Sequence, residues 1–136
     1  MVEPLLRILV TAESPFAAAD AAMHLAELHD ERAIPALTAR LEAPAPMIEG
    51  GSESARAQLA LQYYGRIALA LAAFGRAAIP RLVPLLKHSD PKRRGAAIIG
   101  IRQIEDKGAI GKVMELKDDP DPEVRRQVEF CERLME

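Results

Sequence analysis

At 136 residues and 49% hydrophobic side chains, the chain is long enough to bury a core without metals or disulfides, and too apolar to stay disordered. Its only cysteine, Cys131, excludes a disulfide framework and a cysteine-rich zinc site, and no apolar run approaches the roughly 20 residues of a membrane span. A formal net charge of −2 argues against non-specific nucleic-acid binding as the main role.

Aromatic residues are only 4% and tryptophan is absent, so the core must be aliphatic and rich in alanine. That composition suits closely packed helices better than a sheet. Taken in chain order, eight helices are predicted near 3–12, 15–28, 32–42, 53–74, 77–88, 91–104, 108–117 and 122–135. Ser14-Pro15 opens the second, Asp90-Pro91 the sixth and Asp121-Pro122 the eighth. In each pair the first side chain can accept from a free amide of the first turn. The proline that follows has no amide to lose and a helix-ready φ.

The apolar spacing agrees with these starts. Ala18, Ala21, Leu25 and Leu28 make one stripe on the second helix. Ala57, Ala60, Tyr64, Ile67, Leu71 and Phe74 make another on the fourth. Ala97, Ile101 and Ile104 follow on the sixth, and Val124, Val128, Cys131 and Leu134 or Met135 on the eighth. Steps of three and four residues keep each set on one helix face. The fourth helix is apolar nearly all round at Ile67–Phe74, which places it in the middle of a stack.

Two segments interrupt the pattern. Residues 43–52 run from Pro44 and Pro46 to Gly50-Gly51 and read as an exposed, mobile insertion. Pro84 sits one turn after Pro80 and should remove a backbone hydrogen bond and bend the fifth helix.

The starts and turns also repeat. Ser14-Pro15, Asp90-Pro91 and Asp121-Pro122 recur as helix starts, while Ala33-Ile34-Pro35 and Ile79-Pro80 recur as turn exits. One helical hairpin cannot bury its stripe alone, so the hairpins must stack. The expectation is an all-α, right-handed α-solenoid of four hairpins in one domain spanning residues 1–136.

These residues resemble the HEAT-like repeats named after the phycocyanobilin lyase family. That pattern is an Asp-Pro-x-Val-Arg start, an Ala-rich helix, a Leu-Gly-Asp turn and an Ala-Val/Ile-Pro-x-Leu exit. Asp121, Pro122, Val124 and Arg125 match the start in full. Asp90, Pro91 and Arg94 match it in part, with Arg93 at the Val position. Leu28, Asp30, Ala33, Ile34, Pro35 and Leu37 match the turn and exit, with His29 at the Gly position. Gly75, Ile79, Pro80 and Leu82 match with one residue deleted. The resemblance covers most of the chain except roughly residues 43–56. It implies a helical solenoid whose second helix in each pair lines the concave face. It leaves function open, because similar repeats serve lyase subunits, scaffolds and regulators.

No catalytic constellation stands out. Asp20, His24 and Glu27 share a helix face, but no second histidine joins them, and they read as a solvated polar face. The chain lacks the His-Glu pairs that carry iron in the HEAT-like deoxyhypusine hydroxylase. It is shorter than the HEAT-like DNA glycosylases and poor in the aromatic residues that they set against a damaged nucleotide. Gly50-Gly51 has no following lysine and no preceding strand, so no phosphate loop is present. Cys131 takes a core position and reads as a buried small hydrophobe. No cofactor, metal ligand or catalytic residue is assigned.

Two surfaces are candidates for binding. Phe16 and Met23 lie off the main stripe of the second helix, with Tyr63 comparably placed on the fourth. They form an apolar patch on the concave face, unless neighbouring helices cover them. The second candidate is a basic belt. Residues 75–112 carry 9 basic and 3 acidic side chains, whereas residues 1–74 carry 5 and 9 and residues 113–136 carry 4 and 8. Lys92 and Arg93 stand at a helix start, where the helix dipole disfavours cations, and both are expected to be exposed. Arg81, Lys87, Lys92, Arg93 and Arg102 then form a positive surface for an acidic protein segment, or a solvated face eased by its acidic flanks. Those flanks would repel a long polyanion, and few aromatics offer stacking platforms for bases.

The chain thus reads as a non-catalytic protein-interaction or scaffold module. The alternatives are a subunit of a bilin lyase-like enzyme, implied by the resemblance alone, and a weak nucleic-acid binder. Met1-Val2-Glu3-Pro4 lacks the basic start of a secretory signal, and with one cysteine the chain reads as cytoplasmic.

Overall fold

The computed structural model describes residues 2–43 and 51–134. Its helices are α1 (Val2–Thr11), α2 (Pro15–Leu28), α3 (Ala33–Glu42), α4 (Glu53–Ala72), α5 (Ile79–Leu82), α6 (Pro91–Ile104), α7 (Lys107–Met114) and α8 (Pro122–Leu134). Among the described residues there is no strand, and no helix is long and apolar enough to cross a membrane. The central part of the Pro-then-Gly insertion, residues 44–50, lies outside the described residues.

The helix starts are held by side-chain oxygens, those of Ser14, Asp90 and Asp121 as the sequence marks them and those of Ser52 and Asp106 in addition. The Ser14 hydroxyl accepts the Ala17 amide at 3.4 Å, and Ser52 accepts that of Ala55 at 3.1 Å. Asp90 accepts the Lys92 amide at 3.0 Å, and Asp121 accepts those of Glu123 and Val124 at 2.9 and 3.1 Å. Asp106 does the same for α7 through the Ala109 amide at 3.0 Å. Each such bond satisfies an amide that the helix itself cannot.

The helix ends repeat as well. His29 after α2, Gly75 after α4 and Glu105 after α6 all take left-handed backbone angles, with φ of 52°, 65° and 61°. Glycine does this freely; His29 and Glu105 hold it at a cost of roughly 1 kcal/mol each. The turn is therefore set by the stacking of the hairpins rather than by local preference at those two positions.

The fifth arm departs from the single helix predicted near 77–88. Only Ile79–Leu82 is α-helical, flanked by 3₁₀ segments Gly75–Ala78 and Val83–Lys87. The cause is Pro84. It has no amide for the carbonyl four residues back, and its ring collides with that carbonyl, so the α-helix stops before it.

The helices pack in two layers. α2, α4, α6 and α8 lie side by side in chain order, with α4 and α6 in the closest contact. α1, α3, the broken arm around α5, and α7 form the second layer, each packed on the even-numbered helix that follows it. This is a solenoid of helical hairpins. Its core is aliphatic: Leu25, Leu41, Ile67, Leu71, Ile101 and Val128 are almost fully buried. α4 contacts α2 on one side and α6 on the other, as its all-round apolar run requires. Leu28 is a correction, being 45% exposed rather than part of the buried stripe. At 100° per residue it lies about 80° round the helix from Ala18, so the stripe has drifted off the contact face by the last turn. His29 packs edge-to-face on Phe74 instead, with ring centroids 6.4 Å apart.

Candidate functional site

The apolar patch is built from α2 and α4, neighbours in the even-numbered layer. Phe16, in the first turn of α2, is 59% exposed, and Met23, two turns further on, is 40% exposed. Tyr63 differs from them: it is 3% exposed and buried among the helices. It is still close to Phe16, because both line one shallow depression with Pro15, Ala19, Leu59, Gln62 and Arg66. The patch is therefore two exposed anchors on α2, with Tyr63 as the floor beside Phe16. Leu59, Gln62 and Arg66 were missed by sequence reading. They follow the i, i+3, i+4 spacing from Tyr63 and Leu59, and the sequence does not reveal that α2 lies beside them.

Tyr63 packs edge-to-face on Tyr64, with centroids 5.2 Å apart. Its hydroxyl is buried, and among the described residues no group meets it at full hydrogen-bonding geometry, although the Arg40 guanidinium lies close by. Burial pushes its phenol above the ordinary value, against the pull of the nearby Arg40 and Arg93 cations. Arg40 itself is engaged at the end of α1, where it donates to the Leu9 and Ala12 carbonyls. Asp20, His24 and Glu27 are all exposed on α2, and no cluster of three potential metal ligands occurs among the described residues. Cys131 is fully buried, which raises its thiol pKa despite the opposing charge of Arg102.

The five belt cations do not converge. Arg81 and Lys87 are exposed, on α5 and the 3₁₀ segment after it, in the odd-numbered layer. Lys92, Arg93 and Arg102 belong to α6, in the even-numbered layer. Lys92 is half-buried in a cleft of about 210 Å³ at the starts of α4, α6 and α8, where Asp121 and Glu123 also line the wall. Arg102 is half-buried, lies over the Phe130 ring at 5.3 Å and donates to the Gln127 side chain at 3.3 Å.

Arg93 is the clearest correction. Expected to be exposed, it is 8% exposed. Its guanidinium lies 5.0 Å from the centre of the Tyr64 ring and 3.5 Å from the Asp90 carboxylate, and its Nη1 is 3.4 Å from His88 Nε2. Its Nε is buried, with no hydrogen-bond partner among the described residues. The signal for this was in the sequence. Arg93 stands at the Val position of the repeat start, and the matching Val124 is fully buried. The repeat position outweighs residue type, because it fixes which way the side chain leaves the helix.

The two-layer stack of capped hairpins matches the HEAT repeats family over residues 62–131, just over half of the chain. The chain belongs to the HEAT repeat family. The HEAT match begins in α4 and ends in α8. A second match, to the PBS lyase HEAT-like repeat, covers residues 17–43, most of α2 and all of α3. A search of curated proteins found no match. HEAT repeats are generally protein-interaction scaffolds, and such families are typically non-catalytic.

Proposed function

We propose that the chain is a non-catalytic protein-interaction module that holds a partner protein on its even-numbered layer, anchored by Phe16 and Met23. One observation carries this reading. Among the described residues, the large apolar side chains left exposed are Ile8, Val10, Phe16, Met23 and Leu28, all in the first hairpin. The described large apolar side chains of the remaining hairpins are buried or half-buried. Leaving a phenylalanine half in water forgoes on the order of 1 kcal/mol of burial, which a partner would recover. Phe16 and Met23 stand two turns apart, about 10 Å along α2, a spacing that fits the anchors of a docked helix.

The test is a comparison of partner capture by the parent chain and by a Phe16→Asp, Met23→Asp double variant. Both side chains are already exposed, so the variant should melt as the parent does. Loss of a stoichiometric partner is the expected result; undiminished capture would remove this surface from consideration.

The PBS lyase HEAT-like match at residues 17–43 favours a second reading, a subunit of a bilin lyase-like enzyme. Added phycocyanobilin should then change its absorbance on mixing with the chain, and an unchanged spectrum counts against that reading. The division of the belt between two layers weighs against nucleic acid, which needs a continuous positive track.

A further inference from the structure

The odd-numbered layer is thin beside α7. α5 keeps 4 residues of α-helix because of Pro84, and α7 has 8, whereas the even-numbered α6 and α8 have 14 and 13. Short arms cannot fill the length of the layer that they cover. Between the 3₁₀ segment Val83–Lys87 and α7 they leave a cleft of about 330 Å³. Its lining is Val83, Leu86, Lys87, Lys112, Glu115 and Leu116. Leu86 is 4% exposed and forms the floor, with Val83 and Leu116 half-buried beside it. Lys87 and Lys112 are exposed. Among the described residues neither makes an ion pair.

This volume is at the lower end of the roughly 300–1,000 Å³ of ordinary ligand sites. Its chemistry is specific: an aliphatic floor with two unpaired ammonium groups at the rim. We propose that the cleft binds a short acidic, aliphatic segment of a partner protein. A leucine-sized side chain enters against Leu86 and Leu116, and flanking carboxylates meet Lys87 and Lys112. Charge complementarity selects this occupant. Both lysines fall in residues 75–112, the stretch with 9 basic and 3 acidic side chains. Glu115 adds direction, since it repels a carboxylate at its own end and confines the acidic residues of the segment to the lysine side. The site lies in the other layer from Phe16. It shares with the preceding reading only the premise that the chain binds protein, and a synthetic probe separates the two.

The probe is a fluorescein-labelled nonapeptide with two central leucines flanked by aspartates and glutamates. Controls replace the leucines by serine, or the acids by lysine. Amide shifts in the full-length ¹⁵N-labelled chain should localise to residues 83–88 and 112–116. Lys87→Glu with Lys112→Glu should weaken binding roughly tenfold, and the parent affinity should fall with added salt. Both side chains are exposed, so an unchanged helical spectrum is expected of that variant. Phe16→Asp with Met23→Asp should bind the probe as the parent does. Equal binding of the serine control would reduce the site to bare surface charge and overturn the proposal. So would shifts confined to other residues, or decanoate filling the cleft when the peptides do not.

Discussion

Arg94 reaches from α6 to the loop before α8 and grips the Asp119 carboxylate with two parallel hydrogen bonds, Nε to Oδ2 at 3.0 Å and Nη2 to Oδ1 at 2.9 Å. Its Nη1 donates to the His88 and Ser89 carbonyls at 2.8 and 3.1 Å. Asp119 Oδ1 also accepts the Asp121 amide at 2.9 Å. One guanidinium thereby ties the loop entering α6 to the loop entering α8. The Arg94 and Asp119 side chains are 12% and 5% exposed, so losing one leaves the other largely shielded from water.

Asp119→Asn should therefore destabilise the fold by about 2 kcal/mol, and Arg94→Lys by a similar amount, since an ammonium cannot make the paired contact. Burial alone would raise the Asp119 carboxyl. The hydrogen bonds from Arg94 and the Asp121 amide, with the charges of Arg94 and Arg125, outweigh that and hold it below 3.8. A lowered folded value means that the stabilisation is complete above the unfolded value. It is lost as pH falls from 3.8 through the folded value. Urea melts from pH 6 downward should show an acid loss in the parent that is smaller in Asp119→Asn. Parallel pH profiles would contradict this account.

Arg93 should be dispensable for stability. Arg93→Met leaves Asp90 without its cation, but that carboxylate is 24% exposed and stays hydrated, and among the described residues the Arg93 Nε has no hydrogen-bond partner to lose. Asp90 would keep its role as cap through the Lys92 amide. Arg93→Met is expected to match or exceed the parent melting temperature, and Arg93→Glu to lose about 3 kcal/mol by burying an acid beside Asp90. Equal losses in the two variants would show that the cation itself holds the site together.

Two glycines should respond in opposite directions. A Cβ on Gly100 would stand 3.0 Å from Leu82 Cδ1 and 3.2 Å from the Ala68 carbonyl oxygen, so alanine would have to push the α4 backbone back by a few tenths of an ångström. Gly100→Ala should cost about 2 kcal/mol through forced separation of the helices. Gly111, in α7, has nothing within 4 Å of such an atom, and Gly111→Ala should gain about 0.5–1 kcal/mol of helix propensity. Thermal melts of the pair give the comparison; a stabilised Gly100→Ala would mean that the α4–α6 contact is slack.

The features legible in the chain act within one turn of themselves. Ser14, Asp90 and Asp121 cap the helices they precede because a side-chain oxygen two or three residues from a free amide needs no distant partner. Pro84 breaks the fifth arm for the same local reason. The repetition of these signals specifies hairpins, and hairpins with one apolar stripe each must stack, so the solenoid follows from the sequence as well. Side-chain exposure does not follow in that way. Arg93 is buried because Tyr64, from another hairpin, covers it. Tyr63 lies beneath the surface while Phe16 stands above it, although each sits off the main stripe of its helix. Lys87 and Lys112 flank one cleft because α7 packs beside the broken arm. These outcomes depend on residues some 25 or more positions apart, as the span from Arg94 to Asp119 illustrates. A local pattern marks which helix face can be buried; only the neighbouring hairpin, arriving from elsewhere in the chain, decides how much of that face water still reaches.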